Sequence, residues 1–224
     1  MILVEAAVET LESALSAERA GVDRIELCAA LNVGGTTPPQ ELIKAVRDRC
    51  RIPLFVMIRP RAGDFTYSQA EAEIMRMEIE AARLCGVAGI VTGALDVDRN
   101  LDLAKTQSFL DAAKGLPVTV HRAFDFAANS EAALEQLADI GVTRILTSGG
   151  GQTALDGADR IASLVARTLG RITVVAGGGV RRNNVRDLIG KTGVTELHAR
   201  MLDEDDMRSL VELARSARSG VHHS

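Results

Sequence analysis

Eight short runs rich in β-branched residues recur along the chain, each followed by a stretch of helical apolar spacing, and this alternation constrains the fold more than any other feature. The runs cover residues 2–8, 24–29, 54–59, 89–95, 118–124, 144–148, 172–176 and 196–199. Leu11, Ala14 and Leu15 fall at helical spacing in the first intervening stretch, and Leu134, Leu137 and Ile140 in the fifth. Gly21, Gly86, Gly141 and Gly193 each stand shortly before a run, where a helix must stop. Eight strand–helix units in 224 residues predict the α/β class and a single (β/α)8 TIM-like barrel. That barrel forms one domain over 1–224 with the last few residues, His222 and His223 among them, as a tail. A doubly wound open sheet is the rival topology.

Composition narrows the functional classes. No run approaches the roughly 18 uncharged apolar residues of a membrane span, and the N-terminus lacks the basic flank and cleavage site of a signal peptide, so a cytoplasmic location without membrane attachment is expected. Cys28, Cys50 and Cys85 show no C-x-x-C spacing and fit reduced thiols. With a net charge of −4, scattered arginines and 3% aromatic residues, nucleic acid is not an expected partner. The four lysines, Lys44, Lys105, Lys114 and Lys191, fall in or beside helical stretches, which argues against Schiff-base chemistry. No nucleophile elbow, Walker loop or H-E-x-x-H helix occurs, and no organic cofactor is expected. Compact barrels commonly pair, so a homodimer is a candidate assembly, although no segment marks the interface.

Alternation along the strands sends Leu3, Glu5, Ala7, Glu26, Cys28, Met57, Arg59, Thr119, His121, Glu196 and His198 toward the barrel interior. Unpaired charges are costly there, so Glu5, Glu26, Arg59, His121, Glu196 and His198 are expected to form one salt-bridged network. Glu26, Arg59, His121, Arg122 and His198 are the candidate catalytic residues. Glu26 or His121 would act as the base, His198 is a further proton-transfer group, and the arginines would clamp an anionic substrate. Ser148 and Gly149 follow the sixth run, and Gly177, Gly178 and Gly179 the seventh. With Arg61 they are the candidate anion-binding set, and Asn183 or Asn184 could cap the next helix. A hard divalent cation could instead gather carboxylates from Glu5, Glu26, Asp64 and Asp125.

Longer motifs carry a resemblance. Ile25-Glu26-Leu27-Cys28 with Gly34-Gly35-Thr36-Thr37-Pro38, Phe55-Val56-Met57-Ile58-Arg59-Pro60-Arg61 with Gly63-Asp64-Phe65, His121-Arg122-Ala123-Phe124-Asp125, Leu146-Thr147-Ser148-Gly149, Gly177-Gly178-Gly179 and Glu196-Leu197-His198 resemble, in order, the CutC copper-homeostasis family. The resemblance implies a TIM-like barrel, a cytoplasmic protein and a copper-homeostasis role with Cu(I) binding through Cys28. A second thiol that the family carries two residues after its first-strand Glu is Ala7 here, which removes the neighbour expected for Cys28. Met57 is the remaining soft donor at the mouth, while Cys50 and Cys85 belong to the opposite end. The family's long loop after Glu-x-His is also replaced by an early acidic stretch, Asp203-Glu204-Asp205-Asp206, read as helix initiation. Two functions follow: copper handling through Cys28, or a metal-independent lyase, isomerase or dehydratase acting on a small anionic metabolite, phosphorylated or not, at the barrel mouth.

Overall fold

The computed structural model describes residues 1–217; the segment 218–224, with His222 and His223, lies outside the described residues. Eight parallel strands close in sequence order into a barrel: β1 (Leu3–Val8), β2 (Arg24–Leu27), β3 (Leu54–Met57), β4 (Gly89–Thr92), β5 (Val118–Val120), β6 (Arg144–Thr147), β7 (Thr173–Gly177) and β8 (Glu196–Arg200). The open-sheet alternative is thereby set aside. Helices follow the strands in turn: α1 (Leu11–Arg19), α2 (Gln40–Arg49), α3 (Gln69–Leu84), α4 (Leu103–Ala113), α5 (Ser130–Asp139), α6 (Ala158–Thr168), α7 (Val185–Thr192) and α8 (Glu204–Ser216). None of the described helices is long and apolar enough to cross a membrane.

The helices begin where side chains satisfy their free N–H groups. Thr10 and Ser68 close capping boxes with Ser13 and Glu71 at α1 and α3. Asp203 caps α8 and leaves Glu204, Asp205 and Asp206 in its first turn, which accounts for the acidic stretch. Outward strand residues such as Val4, Ile25, Val56 and Ile145 pack under Ile43, Met75, Ile79, Phe109 and Leu137 in one continuous apolar shell.

Inside the barrel the floor is built differently. Gly89 on β4 leaves room for the Phe55 ring of β3, because a Cβ there would meet a ring carbon at 2.4 Å. The guanidinium carbons of Arg24 and Arg144 lie 4.9 and 5.0 Å from that ring's centroid. An aromatic plate thus carries two buried cations, and the ionisable layer is stacked above it.

Strands β2 to β6 end earlier than the hydrophobic runs suggest, and at three of them the difference positions the site. β2 stops at Leu27 because the chain turns left-handed at Ala30, and Ala29 bridges back to Thr36. β3 stops at Met57, after which the Arg59 N–H is taken by Thr37 Oγ1. β5 stops at Val120, and 122–126 form a 3-10 turn capped by the His121 ring. Cys28, Arg59 and His121 therefore sit just past strand ends, on the rim of the barrel mouth.

Candidate functional site

The charged layer is a closed set of pairings. Register sets Glu5 opposite Arg24 on one side and His198 on the other. Glu5 Oε2 accepts from Arg24 Nε at 2.5 Å and from Arg144 at 3.3 Å, while Glu196 Oε2 accepts from Arg24 at 2.6 Å and Arg144 Nε at 3.0 Å. Arg144 also donates to Thr119 Oγ1. The expected six-membered network is corrected here: its cations are Arg24 and Arg144, and neither Arg59 nor His121 belongs to it. Strand parity carried the signal, since Arg24 stands two residues before Glu26 and Arg144 two before Leu146, both of which line the mouth cavity.

Above the network stands a carboxylate–imidazole cluster. Glu5 Oε1 lies 2.8 Å from His198 Nδ1, and Glu26 Oε2 lies 3.4 Å from the same nitrogen. Burial opposes ionisation of Glu5, but the His198 hydrogen bond and the Arg144 and Arg24 charges outweigh it and hold the carboxyl well below its ordinary range. Ionised Glu5 can only accept, so Nδ1 carries the proton, and Nε2 of His198, with no acceptor or donor among the described residues, is left for the cavity. Burial also lowers the basicity of His198, yet the Glu26 charge and Glu5 raise it above its ordinary value. Glu26 moves the other way. Burial, with the Glu5 charge added and His198 and the arginines opposing, pushes its carboxyl up to about 7, and its Oε1 is buried without a partner.

The cavity over this cluster is about 550 Å³ and opens at the C-terminal ends of the strands. Arg59, 4% exposed, forms one wall. Its guanidinium donates to the carbonyls of Val33, Gly35 and Gly63 and stacks 4.7 Å over the Phe65 ring, and no carboxylate among the described residues pairs with it. His121 stands in the same wall. Burial first, and then the Arg59 charge, pushes its imidazole down to about 3. Its Nδ1 accepts from the Ala123 N–H at 3.2 Å, so the neutral ring carries its proton on Nε2, which is buried and unpartnered. A group held neutral in this way is a hydrogen-bond donor; the expectation of His121 as base is corrected.

Other candidates are placed elsewhere. Arg122 reaches the cavity but is tied by Nε to Asp125 and by a terminal nitrogen to Ser148 Oγ, both at 2.8 Å. Asp125 is an acceptor hub for the Thr147 and Ser148 hydroxyls and for the backbone N–H groups of Ser148 and Gly150. Gly149 N–H is taken by Thr147 Oγ1. The loop after β6 is therefore satisfied internally, and Ser148 and Gly149 do not present an anion cradle. Arg61 is turned outward onto Glu71, at 2.5 Å, and Asp64, bracing the start of α3 away from the cavity. Gly178 and Gly179 do line the cavity, while Gly177 ends β7 beneath them. Asn184 occupies the cap position of α7, but its side chain accepts from the Arg181 N–H and donates to the Gly179 carbonyl instead. Arg181, passed over in the sequence, also lines the cavity.

Cys28 is fully buried against Phe55, Met57 and Val91. Register pairs Ala7 with Glu26, not with Cys28, which lies one step nearer the mouth. Burial first, then the charges of Glu26, Glu5 and Glu9, push the Cys28 thiol well above its ordinary value. Cys50 and Cys85 end α2 and α3 at the far end of the barrel. All three cysteines are unpaired. Asp64 and Asp125 stand apart from Glu5 and Glu26, so the four expected carboxylates do not converge; Glu5, Glu26 and His198 do.

Residues 2–202 match the family model described as the CutC family. The chain belongs to the CutC family. A copper homeostasis protein cutC homolog from Homo sapiens is 45% identical over 196 residues, covering 88% of this chain and 72% of the relative. A family protein CutC from Glaesserella parasuis serovar 5 is 45% identical over 218 residues, 97% of this chain and 89% of the relative. The crystal structure of CutC from Streptococcus agalactiae superposes with a TM-score of 0.85 at 34% identity, covering 88% of this chain and 98% of that one. A phosphoribosylanthranilate isomerase from Thermotoga maritima shares 13% identity at a TM-score of 0.65, a likeness of fold alone. Copper homeostasis is thus the family to which this CutC chain belongs, and its barrel is the CutC barrel.

Proposed function

We propose that this CutC chain is a metal-independent enzyme that moves a proton on a small anionic metabolite, as a lyase, isomerase or dehydratase would. The observation that carries the reading is the Glu5–His198–Glu26 cluster, with His198 Nε2 free at the base of a closed-sided cavity. His198 Nε2 takes a proton from the substrate, and the imidazolium so formed is stabilised by ionised Glu5 on Nδ1 and, once Glu26 has given up its own proton, by the carboxylate left beside it. The electron pair left on the substrate is stabilised by the Arg59 charge and by the His121 Nε2–H, a neutral donor in a poorly solvated wall. Glu26, poised near neutrality, returns a proton to a second atom or to a leaving oxygen. The unpaired thiols support a reducing, cytoplasmic setting.

Copper handling through Cys28 is the second reading, supported by one juxtaposition: Cys28 and Met57 pack in the same buried cluster, and both the Cys28 thiol and the Met57 terminal methyl lie against Gly35. A Cu(I) pair of thiolates does not fit these residues, because one thiol is present at the mouth and burial keeps its proton on. The two readings separate in D2O. The protein is incubated with a metabolite extract, and compounds that gain deuterium or disappear are identified by mass spectrometry. At least one anionic compound is expected to change with the wild type and not with Glu26→Gln or His198→Asn; an unchanged extract would remove the acid–base reading.

A further inference from the structure

The geometry points to a substrate with an anionic group at each end, a carboxylate held by Arg59 and a phosphoryl group held by Arg181 with Gly178 and Gly179. This rests on the acid–base reading and names the substrate class for the same cavity.

Three cations of the barrel interior and rim show what is unusual. Arg24 and Arg144 are buried and each pairs with both Glu5 and Glu196. Arg59 is just as buried and pairs with no carboxylate among the described residues. Three carbonyls accept from its terminal nitrogens, leaving Nε and one further N–H without an acceptor, the buried Tyr67 hydroxyl being near the guanidinium but not hydrogen-bonded to it. A buried guanidinium whose charge meets only dipoles is incomplete, since buried charges are ordinarily paired. An anion entering the cavity completes it, and a planar carboxylate matches the donor fork.

The second end lies across the barrel. Strand order places β3, which leads to Arg59, four strands from β7, which leads to Arg181, so the two arginines face one another over the mouth. The Arg181 guanidinium donates only to the Val180 carbonyl, at 2.7 Å, and forms no ion pair among the described residues. Beside it, Gly178 and Gly179 have φ of +109° and +68°, and their N–H groups go to no acceptor among the described residues. Side chains are disfavoured there by the positive φ and by crowding: a Cβ would come to 3.2 Å from Ser148 Cβ at Gly178 and 3.0 Å from Thr153 Cγ2 at Gly179. Bare N–H groups next to a free guanidinium suit the oxygens of a phosphoryl group. The loop after β6 differs in kind, because Asp125 and Thr147 already take its N–H groups. Glu26 on β2 and His198 on β8 lie on the arc between the two arginines, so a ligand spanning the mouth carries its middle carbons over the proton-transfer cluster.

Three probes separate the ends: 3-phosphoglycerate carries both anions, glycerol 3-phosphate only the phosphoryl group and glycerate only the carboxylate. Calorimetric titration at low salt is expected to give 3-phosphoglycerate an affinity about tenfold or more above either single-ended probe. Arg181→Ala should weaken both phosphorylated probes about tenfold and leave glycerate within about twofold. Arg59→Lys, checked for folding by circular dichroism, should weaken glycerate and 3-phosphoglycerate and spare glycerol 3-phosphate. Equal affinities for the three probes, no binding of 3-phosphoglycerate at millimolar concentration, or an Arg181→Ala loss that is the same for glycerate would each overturn the inference. A two-ended preference without deuterium exchange would keep this inference and remove the acid–base reading; exchange without the preference would do the reverse.

Discussion

Glu5→Gln tests whether the charged floor is a balanced unit that both supports the barrel and sets the chemistry of His198. The substitution keeps shape and removes one negative charge from a layer in which Glu5 and Glu196 face Arg24 and Arg144. Two guanidinium groups, 9% and 6% exposed, then share one carboxylate, and the amide cannot accept from His198 Nδ1 as a carboxylate does. Breaking one partner of a buried pair costs about 3–5 kcal/mol, against a total stability of roughly 5–15 kcal/mol. With a urea slope of about 2–3 kcal/mol per molar, the unfolding midpoint followed by circular dichroism should fall by about 1–2 M at pH 7. Acid dependence supplies a second readout. The folded Glu5 carboxyl is held below its ordinary value, so its stabilisation is complete above the unfolded pKa and is lost as pH falls toward the folded one. The wild type should therefore lose stability below about pH 4.5 more steeply than Glu5→Gln. Adding Arg144→Met restores charge balance over the Phe55 plate and should recover about 1 kcal/mol or more relative to Glu5→Gln alone. A single variant within about 1 kcal/mol of the wild type, or a double variant whose loss exceeds the sum of the singles, would refute the reasoning.

Three further outcomes are expected. Imidazole NMR should show His121 as the neutral Nε2–H tautomer from pH 8 to 5, with His198 titrating above its ordinary value; because the unfolded chain protonates His121 near pH 6.5 and the folded one only near 3, His121→Gln should lessen the loss of stability on acidification through that window. Anaerobic Cu(I) titration against a competing chelator should give the wild type and Cys28→Ala the same weak binding, whereas tight stoichiometric binding lost in Cys28→Ala would favour copper handling. Gly89→Ala should destabilise by about 1–3 kcal/mol, read by urea unfolding, since the new methyl meets the Phe55 ring that supports both buried arginines; unchanged stability would mean that the ring moves freely.

The barrel was legible because its signal is repeated: eight apolar runs, each with a helix-period partner, leave few topologies that bury every face. Strand ends were less so. Residues 28–29 and 121–124 continue apolar patterns past the strand ends: Cys28 and His121 still donate to Val8 and Thr92 of the neighbouring strands, after which the backbone turns while side chains such as Ala123 and Phe124 still pack. The interior set of Glu5, Glu26, Glu196 and His198 followed from alternation alone. Arg24 and Arg144 obey the same parity and were hidden by residue type, since an arginine at the first position of a strand reads as a solvated rim residue. Arg61 and Arg59 show the opposite limit. Two residues apart, one is buried without an acid and the other is paired outside, and what separates them is a carbonyl cage built from Val33 and Gly35 of the loop before α2, distant in sequence, and from Gly63 of the arginines' own loop.

That contrast bears on how the site works. A proton-transfer group needs a basicity matched to its task and a fixed direction, and the barrel supplies both from below: Arg24 and Arg144 keep Glu5 ionised, and Glu5 in turn fixes the proton of His198 on Nδ1. From the side, burial first and the Arg59 charge added to it act on His121 in the opposite sense and keep it neutral. Burial lowers the basicity of both histidines of the cavity; the acids beside His198 reverse that and the unpaired guanidinium beside His121 adds to it, so one is driven toward base and the other toward donor. Anion binding at Arg59 reduces that second field, so an occupied cavity should raise the basicity of His121 without altering its hydrogen bond to Ala123. The His121 titration measured with and without 3-phosphoglycerate detects this directly. An upward shift that Arg59→Lys diminishes is the expected result, and a His121 titration indifferent to a bound anion would separate the two residues that the proposed mechanism joins.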